Sequence, residues 1–180
     1  MEESLKVADN VAQDLNKREN ETGSETGIVA ESETGIVAGN ETGLDFVDCM
    51  IRRMGIKEVD PKDLNPIVLA YVGDAVYSLA VRTFLVANTG KRQVNKINND
   101  ANSMVSAKAQ AKSIDKIEDL LTEEEKRFYK RGMNAKTNTC AKNASLFEYR
   151  KATGLEALVG SLYLLKRYDR LMELIHLGLQ

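Results

Sequence analysis

Histidine, cysteine and proline are all scarce in this 180-residue chain, and each scarcity closes off a class of chemistry or structure. The only histidine, His176, lies near the C-terminus with no Asp or Ser motif beside it. No catalytic triad is indicated, and the residue reads as structural or solvent-facing. The two cysteines, Cys49 and Cys140, belong to no Cys-x-x-Cys or Cys/His cluster, which argues against a zinc site or a disulfide framework. Free thiols fit a reducing cytosol, and Cys140 is a weak candidate for a nucleophile. The glycines lack the Lys-Ser/Thr ending that a phosphate loop needs. No stretch approaches the roughly 20 apolar residues of a membrane span, and the acidic N-terminus lacks a continuous apolar core. The expectation is a soluble, cytoplasmic protein.

Length allows one domain with an appendage, and an apolar fraction of 43% can supply a core. The net charge of -2 hides an asymmetry. Met1 to Leu44 carries three Lys or Arg against ten Asp or Glu, whereas Asp45 to Gln180 carries 22 against 17. Within the basic part, Lys91 to Lys151 holds fourteen basic and eight acidic residues, a footprint suited to a polyanion or to the solvated face of ordinary helices.

Residues 1–19 can form a weak amphipathic helix. A tandem octapeptide follows, Ser24-Glu-Thr-Gly-Ile-Val-Ala-Glu31 and Ser32-Glu-Thr-Gly-Ile-Val-Ala-Gly39, too few copies for a solenoid. Rich in Gly, Ser, Thr and Glu, it buries little to offset the entropy of ordering, so residues 1–43 read as an acidic, mostly disordered extension. The alternative pairs Ile28-Val-Ala and Ile36-Val-Ala as short strands.

From about Leu44 the pattern is helical, with both prolines, Pro61 and Pro66, ahead of the first strong helix. Asp63 or Asn65 caps that helix, which runs toward Asn-Thr-Gly90 and, apolar around most of its circumference, reads as central and buried. A more polar helix is expected from about Val94 to Ser113, with Lys108 and Lys112 four apart on one side. Thr122-Glu-Glu-Glu125 is a capping-box start for a helix to about Arg131, ended by Gly132 and a loop through Ala141. The last helices are expected at Ser145 to Ala152, Gly154 to Lys166 and Tyr168 to Leu177, the last two strongly amphipathic. No convincing strand occurs in the basic part, so the fold class is all-α.

Two acids stand inside strongly apolar helical stretches: Asp74 in Leu69-Ala-Tyr-Val-Gly-Asp-Ala-Val-Tyr77, and Glu156 in Gly154-Leu-Glu-Ala-Leu-Val-Gly160. A carboxylate removed from water without a partner costs several kcal/mol or shifts its pKa until neutral. Small residues lie one turn from each acid, so another helix or a hydrated ion can come close. Gly160 costs its helix about 1 kcal/mol relative to alanine, which close backbone approach can compensate. If the two helices cross there, both carboxylates meet, and hard oxygens with water and phosphate suit Mg²⁺ or Mn²⁺ in phosphodiester hydrolysis. The competing reading makes both acids salt-bridge or cap residues. Basic residues flanking an Asn- and Thr-rich loop, namely Arg131, Lys136, Lys142 and Arg150 with Lys108 and Lys112, can bind sugar and phosphate of a double helix, or simply confer solubility.

Four runs in order then carry a family resemblance: Leu69 to Tyr77, Val105-Ser-Ala-Lys-Ala-Gln-Ala111, Lys130-Arg-Gly-Met-Asn-Ala-Lys136, and Arg150 leading into Thr153-Gly-Leu-Glu-Ala-Leu-Val-Gly160. Over about residues 44–180 the chain resembles the ribonuclease III catalytic domain, specifically its compact bacterial branch, Mini-ribonuclease III. The resemblance implies the ribonuclease III helical fold and a homodimer that cuts both strands of double-stranded RNA with Mg²⁺, for which Mn²⁺ can substitute, leaving staggered ends with 5′-phosphates. The implied substrate is the precursor of large-subunit ribosomal RNA. Asp74 and Glu156 would be catalytic metal ligands, and Lys108, Lys112, Arg131, Asn134, Lys136, Lys142 and Arg150 would contact RNA.

The chain also departs from the full-length family. Its signature Glu-x-x-Glu-x-x-x-Asp reads Ile67-x-x-Ala70-x-x-x-Asp74, and Thr153 stands where an aspartate is expected before Glu156. Fewer protein oxygens and more water would surround the ion. A separate RNA-binding domain is expected to be absent, so the catalytic domain would itself hold RNA. A catalytically silent helical RNA-binding scaffold of the same fold is the rival reading, and a third is a helical dimer whose acidic extension covers its own basic face.

Overall fold

Asn65 starts the longest helix, because its side-chain Oδ1 accepts a hydrogen bond from the backbone N–H of Ile67 at 2.9 Å while Pro66 occupies the first turn. The computed structural model describes residues 46–89, 93–136 and 145–180. The acidic extension with its repeat, Gly90, Lys142, Cys140 and most of the loop after Lys136 lie outside the described residues. Among the described residues there are seven α-helices and no strand: α1 (Phe46–Met54), α2 (Pro66–Thr89), α3 (Val94–Met104), α4 (Ala107–Ile117), α5 (Glu123–Met133), α6 (Leu146–Leu164) and α7 (Tyr168–Leu179), with a 3₁₀ turn at Glu118–Leu120.

The central element is α6, not α2. Ten residues of α6 between Ala152 and Leu162 are buried, with α2, α4 and α5 packed around it. It is therefore apolar on nearly all sides rather than amphipathic, a correction to the expectation from sequence. In α2 one stripe, Leu69, Tyr77, Val81 and Leu85, enters the core. The opposite face leaves Val68, Tyr71, Leu79 and Val86 exposed, so α2 is not the enclosed helix its composition suggests. Its Pro66–Asn88 stretch does have the length and composition to cross a membrane, contrary to the sequence expectation. Asp74 and Arg82 in its middle and its one-sided packing into the bundle mark it instead as a core helix with an outer apolar face.

Two further expectations are corrected by local packing. The stretch from Val94 is two helices, because Ser106 takes an extended conformation and caps α4, accepting from the Ala109 N–H at 3.3 Å. Conversely, Thr153-Gly154 does not interrupt α6, since Thr153 Oγ1 donates back to the Tyr149 carbonyl at 3.1 Å and Gly154 fits beneath the Tyr129 ring. Gly132 likewise lies inside α5, where a Cβ would come within 2.6 Å of Ala157 Cβ. The capping box at Thr122 and Glu125 forms as expected, and Ser145 with Glu148 builds a second one at the start of α6.

Glu125 has a second task. Arg170 of α7 forks onto both its carboxylate oxygens, at 2.9 and 3.0 Å, and also donates to the Leu120 carbonyl at 2.8 Å. Burial pushes the Glu125 carboxyl up, but the Arg170 fork and the Thr122 backbone N–H more than offset it and hold its pKa below the ordinary value. The turn into α7 places Lys166 in the left-handed region at φ 58°, and its ammonium pairs with Asp48 of α1 and with Glu58. Those pairs tie the first described helix to the end of the central one.

Candidate active site

Asp74 and Glu156 are brought together by a backbone-to-backbone helix crossing. A Cβ on Gly73 would lie 1.8 Å from the carbonyl oxygen of Glu156, and a Cβ on Gly160 would lie 2.1 Å from that of Leu69. Only glycine at both positions lets α2 and α6 approach this closely. Asp74 follows Gly73 directly, so the crossing that seats the helices also sets the two acids side by side.

Their surroundings differ. Asp74 is exposed to solvent, a correction to the expectation that both acids are withdrawn from water, whereas Glu156 is half-buried. Desolvation first, and the negative charge of Asp74 second, push the Glu156 carboxyl up to about 8, against the smaller opposing pull of the nearby Gln110 side chain. Without an ion the pair therefore retains a proton on Glu156 at neutral pH. A raised carboxyl beside a second carboxylate is a place where a divalent cation relieves both desolvation and repulsion.

The donor set fits such an ion but is small. Among the described residues no third Asp, Glu, His or Cys joins the pair. Ala70 is buried in an apolar cluster with Leu69, Phe128 and Ala157, and Thr153 commits its hydroxyl hydrogen to the Tyr149 carbonyl. Two carboxylates would leave most coordination positions to water and substrate oxygens, the habit of Mg²⁺, which dehydrates reluctantly.

The third group at the site, Gln110, was not singled out from sequence. It projects inward from α4 and is 1% exposed. The only signal was a long amide among the small residues of Ala107-Lys-Ala-Gln-Ala111.

The basic residues separate into distinct settings. Lys108 and Lys112 are exposed on α4 and lie near enough to Glu148 to help its capping hydrogen bonds from Ser145 hold that carboxyl below its ordinary value. Arg150, two residues further along α6, is exposed, as are Asn134 at the end of α5 and Lys136 just beyond it. Arg131 is half-buried. Its guanidinium donates to the Leu64 carbonyl at 2.7 Å and lies 6.0 Å from the Phe128 ring, tying α5 to the segment before α2. Lys142 lies outside the described residues. His176 is exposed and contacts the Gln180 side chain.

Residues 67–167 match the family model described as the Ribonuclease III domain. Over 118 residues the chain is 47% identical to Mini-ribonuclease 3 of Clostridium tetani, covering 66% of this chain and 78% of that protein. Over 117 residues it is 48% identical to Mini-ribonuclease 3 of a Thermoanaerobacter species, covering 65% and 82%. The crystal structure of protein FN1578 from Fusobacterium nucleatum superposes with a TM-score of 0.59 at 32% identity, over 65% of this chain and 93% of that one.

Proposed function

From the premise that this chain belongs to the ribonuclease III domain family, we propose that it is an endoribonuclease that cuts double-stranded RNA with Mg²⁺ held by Asp74 and Glu156. The observation that carries this reading is the Gly73–Gly160 crossing, which brings the two acids close enough for the charge of one to raise the pKa of the other. When bound, the cation supplies water activation and charge neutralisation at the scissile phosphate, and Mn²⁺ can take its place. Glu156 must ionise to hold it, so loading below about pH 8 releases a proton. Exposed Asp74 leaves the solvent side of the pair open to water and substrate. Lys108, Lys112 and Arg150 supply positive charge for phosphates beside the start of α6, with Asn134, Lys136, Arg131 and Lys142 as the remaining RNA contacts.

A single carboxylate pair cuts one strand, and cutting both calls for a two-fold partner. The exposed α2 stripe of Val68, Tyr71 (82% exposed), Leu79 and Val86 is the apolar surface for it. Beside it a groove of about 580 Å³, lined by Phe46, Phe84 and Met172 among others, extends the same face. Leu79→Glu is expected to halve the mass in size-exclusion chromatography with light scattering and to end paired cuts, while an unchanged mass places the interface elsewhere.

The substrate is the duplex stem of the large-subunit ribosomal RNA precursor, and the compartment is the cytoplasm. Free Cys49 agrees with the latter. The testing experiment incubates end-labelled duplex and single-stranded RNA with the protein in Mg²⁺ or EDTA and resolves the products on a denaturing gel. Discrete duplex-only cuts that require Mg²⁺ support the reading. Folded protein that binds the duplex without cutting it would instead be a silent RNA-binding scaffold.

A further inference from the structure

We propose that Gln110 is a positioning residue that holds the Glu156 carboxylate through its side-chain amide and thereby sets the affinity of the Asp74–Glu156 pair for its cation. The inference rests on the reading of that pair as a cation site.

Gln110 is 1% exposed, yet its Nε2 has no partner in hydrogen-bonding geometry, while α4's other inward residues, Ala111, Ile114 and Ile117, pack as ordinary core. An apolar side chain of the same length would fill the space without burying two unsatisfied N–H groups. The amide is not idle, however, because it acts on Glu156, whose charged form it favours. The amide is therefore close enough to influence the carboxylate, while its Nε2 is left without a hydrogen bond. With a cation held by the pair, the Gln110 N–H would be the buried donor beside the Glu156 carboxylate.

A neutral amide suits this task better than a Lys or Arg. It fixes the carboxylate through hydrogen bonding and adds no positive charge to compete with the ion. It also accounts for how two acids could serve where the family pattern has five. With so few protein ligands, each must be held in its binding orientation before the ion arrives. Gln110 reaches the site from α4, a third helix independent of the α2–α6 crossing, and Tyr77 Oη with Ser113 Oγ at 3.3 Å links α4 to α2 one turn away.

The test measures Mg²⁺ and Mn²⁺ binding by calorimetry on the full chain without RNA, comparing wild type, Glu156→Gln, Gln110→Leu and Gln110→Met. Wild-type binding that Glu156→Gln eliminates is expected. Each Gln110 variant should weaken it about tenfold to a hundredfold, the range seen when a partner of a metal ligand is removed. The Mg²⁺ concentration needed for half-maximal cleavage should rise by the same factor, the rate at saturating Mg²⁺ should largely recover, and duplex affinity in EDTA and the thermal midpoint should not fall. Gln110→Met provides the same comparison if Gln110→Leu does not fold. Unchanged ion affinity in folded Gln110 variants would overturn the role of Gln110 alone, whereas a wild type that binds no ion would overturn the cation site and Gln110 with it.

Discussion

Asp74→Asn is expected to reduce Mg²⁺-dependent cleavage of duplex RNA by about 10³-fold or more, since it removes one of the two carboxylates proposed to hold the ion, with no third ligand beside them among the described residues. Duplex affinity measured in EDTA should stay within about twofold, because phosphate contacts from Lys and Arg dominate RNA binding. Glu156→Gln should abolish cutting equally, but its stability should move the other way. The Glu156 carboxyl titrates near its ordinary 4.5 when the chain is unfolded and at about 8 when folded without an ion. Below pH 4.5 both states are protonated and the group has no effect. Between 4.5 and 8 the unfolded chain releases a proton that the folded one keeps, so stability declines through that window and levels off above it. At about 1.4 kcal/mol for each pH unit that separates the two titrations, the loss near pH 8 is on the order of a few kcal/mol. Ion-free Glu156→Gln should therefore melt several degrees above ion-free wild type at pH 8 to 9, and the gap should close near pH 4.5. Adding Mg²⁺ should raise the midpoint of the wild type only. Calorimetric scans that show Glu156→Gln less stable at pH 8 would contradict the desolvation and repulsion that raise the Glu156 titration, whatever happened to the cleavage.

That a site can be read from sequence depends on whether its residues look out of place, and Asp74 and Glu156 did. An acid inside an apolar helical run is visible without coordinates, and Gly160 a turn from Glu156 hinted at the crossing. What sequence could not show was the degree of withdrawal from water. Asp74 stands on the face of α2 that the bundle leaves open, so an apolar composition that suggested a buried helix instead signalled a second surface. Gly154 and Gly132 were misread for the related reason that a glycine's use in tertiary contact resembles its use as a helix terminator. Ser106 failed as a signal because a lone serine in an Ala-rich stretch weighs little beside the helical period around it, although it splits α3 from α4. Gln110 escaped notice because its burial, and its influence on an acid 46 positions away, leave no local pattern in the sequence. The boxes at Thr122 and Ser145 were easy because capping is local chemistry.

Gly73→Ala should be among the most damaging single-methyl additions the described chain can receive. The added Cβ would fall 1.8 Å from the Glu156 carbonyl oxygen, 2.7 Å from its carbonyl carbon and 2.8 Å from the Gly160 nitrogen. All three are backbone atoms of the central helix, so no side-chain rotation can make room. Relief requires α2 and α6 to separate by more than an ångström along a seam that also buries Leu69, Ala70 and Ala157. Overpacking against mobile side chains costs about 1–3 kcal/mol, and against fixed backbone a value of about 4 kcal/mol or more is expected. The intrinsic gain of about 1 kcal/mol from replacing a helical glycine offsets little of it. The thermal midpoint should drop by on the order of 10 °C, or the protein should fail to fold. Gly178→Ala is the matched control, for the atom nearest its Cβ would be Ser113 Cβ at 3.1 Å, and its midpoint should stay within about 4 °C of wild type. The molecules of Gly73→Ala that do fold must hold Asp74 and Glu156 further apart, so they should bind Mg²⁺ weakly and cut slowly even well below their melting temperature. A variant that melts normally and cuts normally would mean that the crossing tolerates a gap, and that something other than contact between Gly73 and Gly160 sets the spacing of the acids.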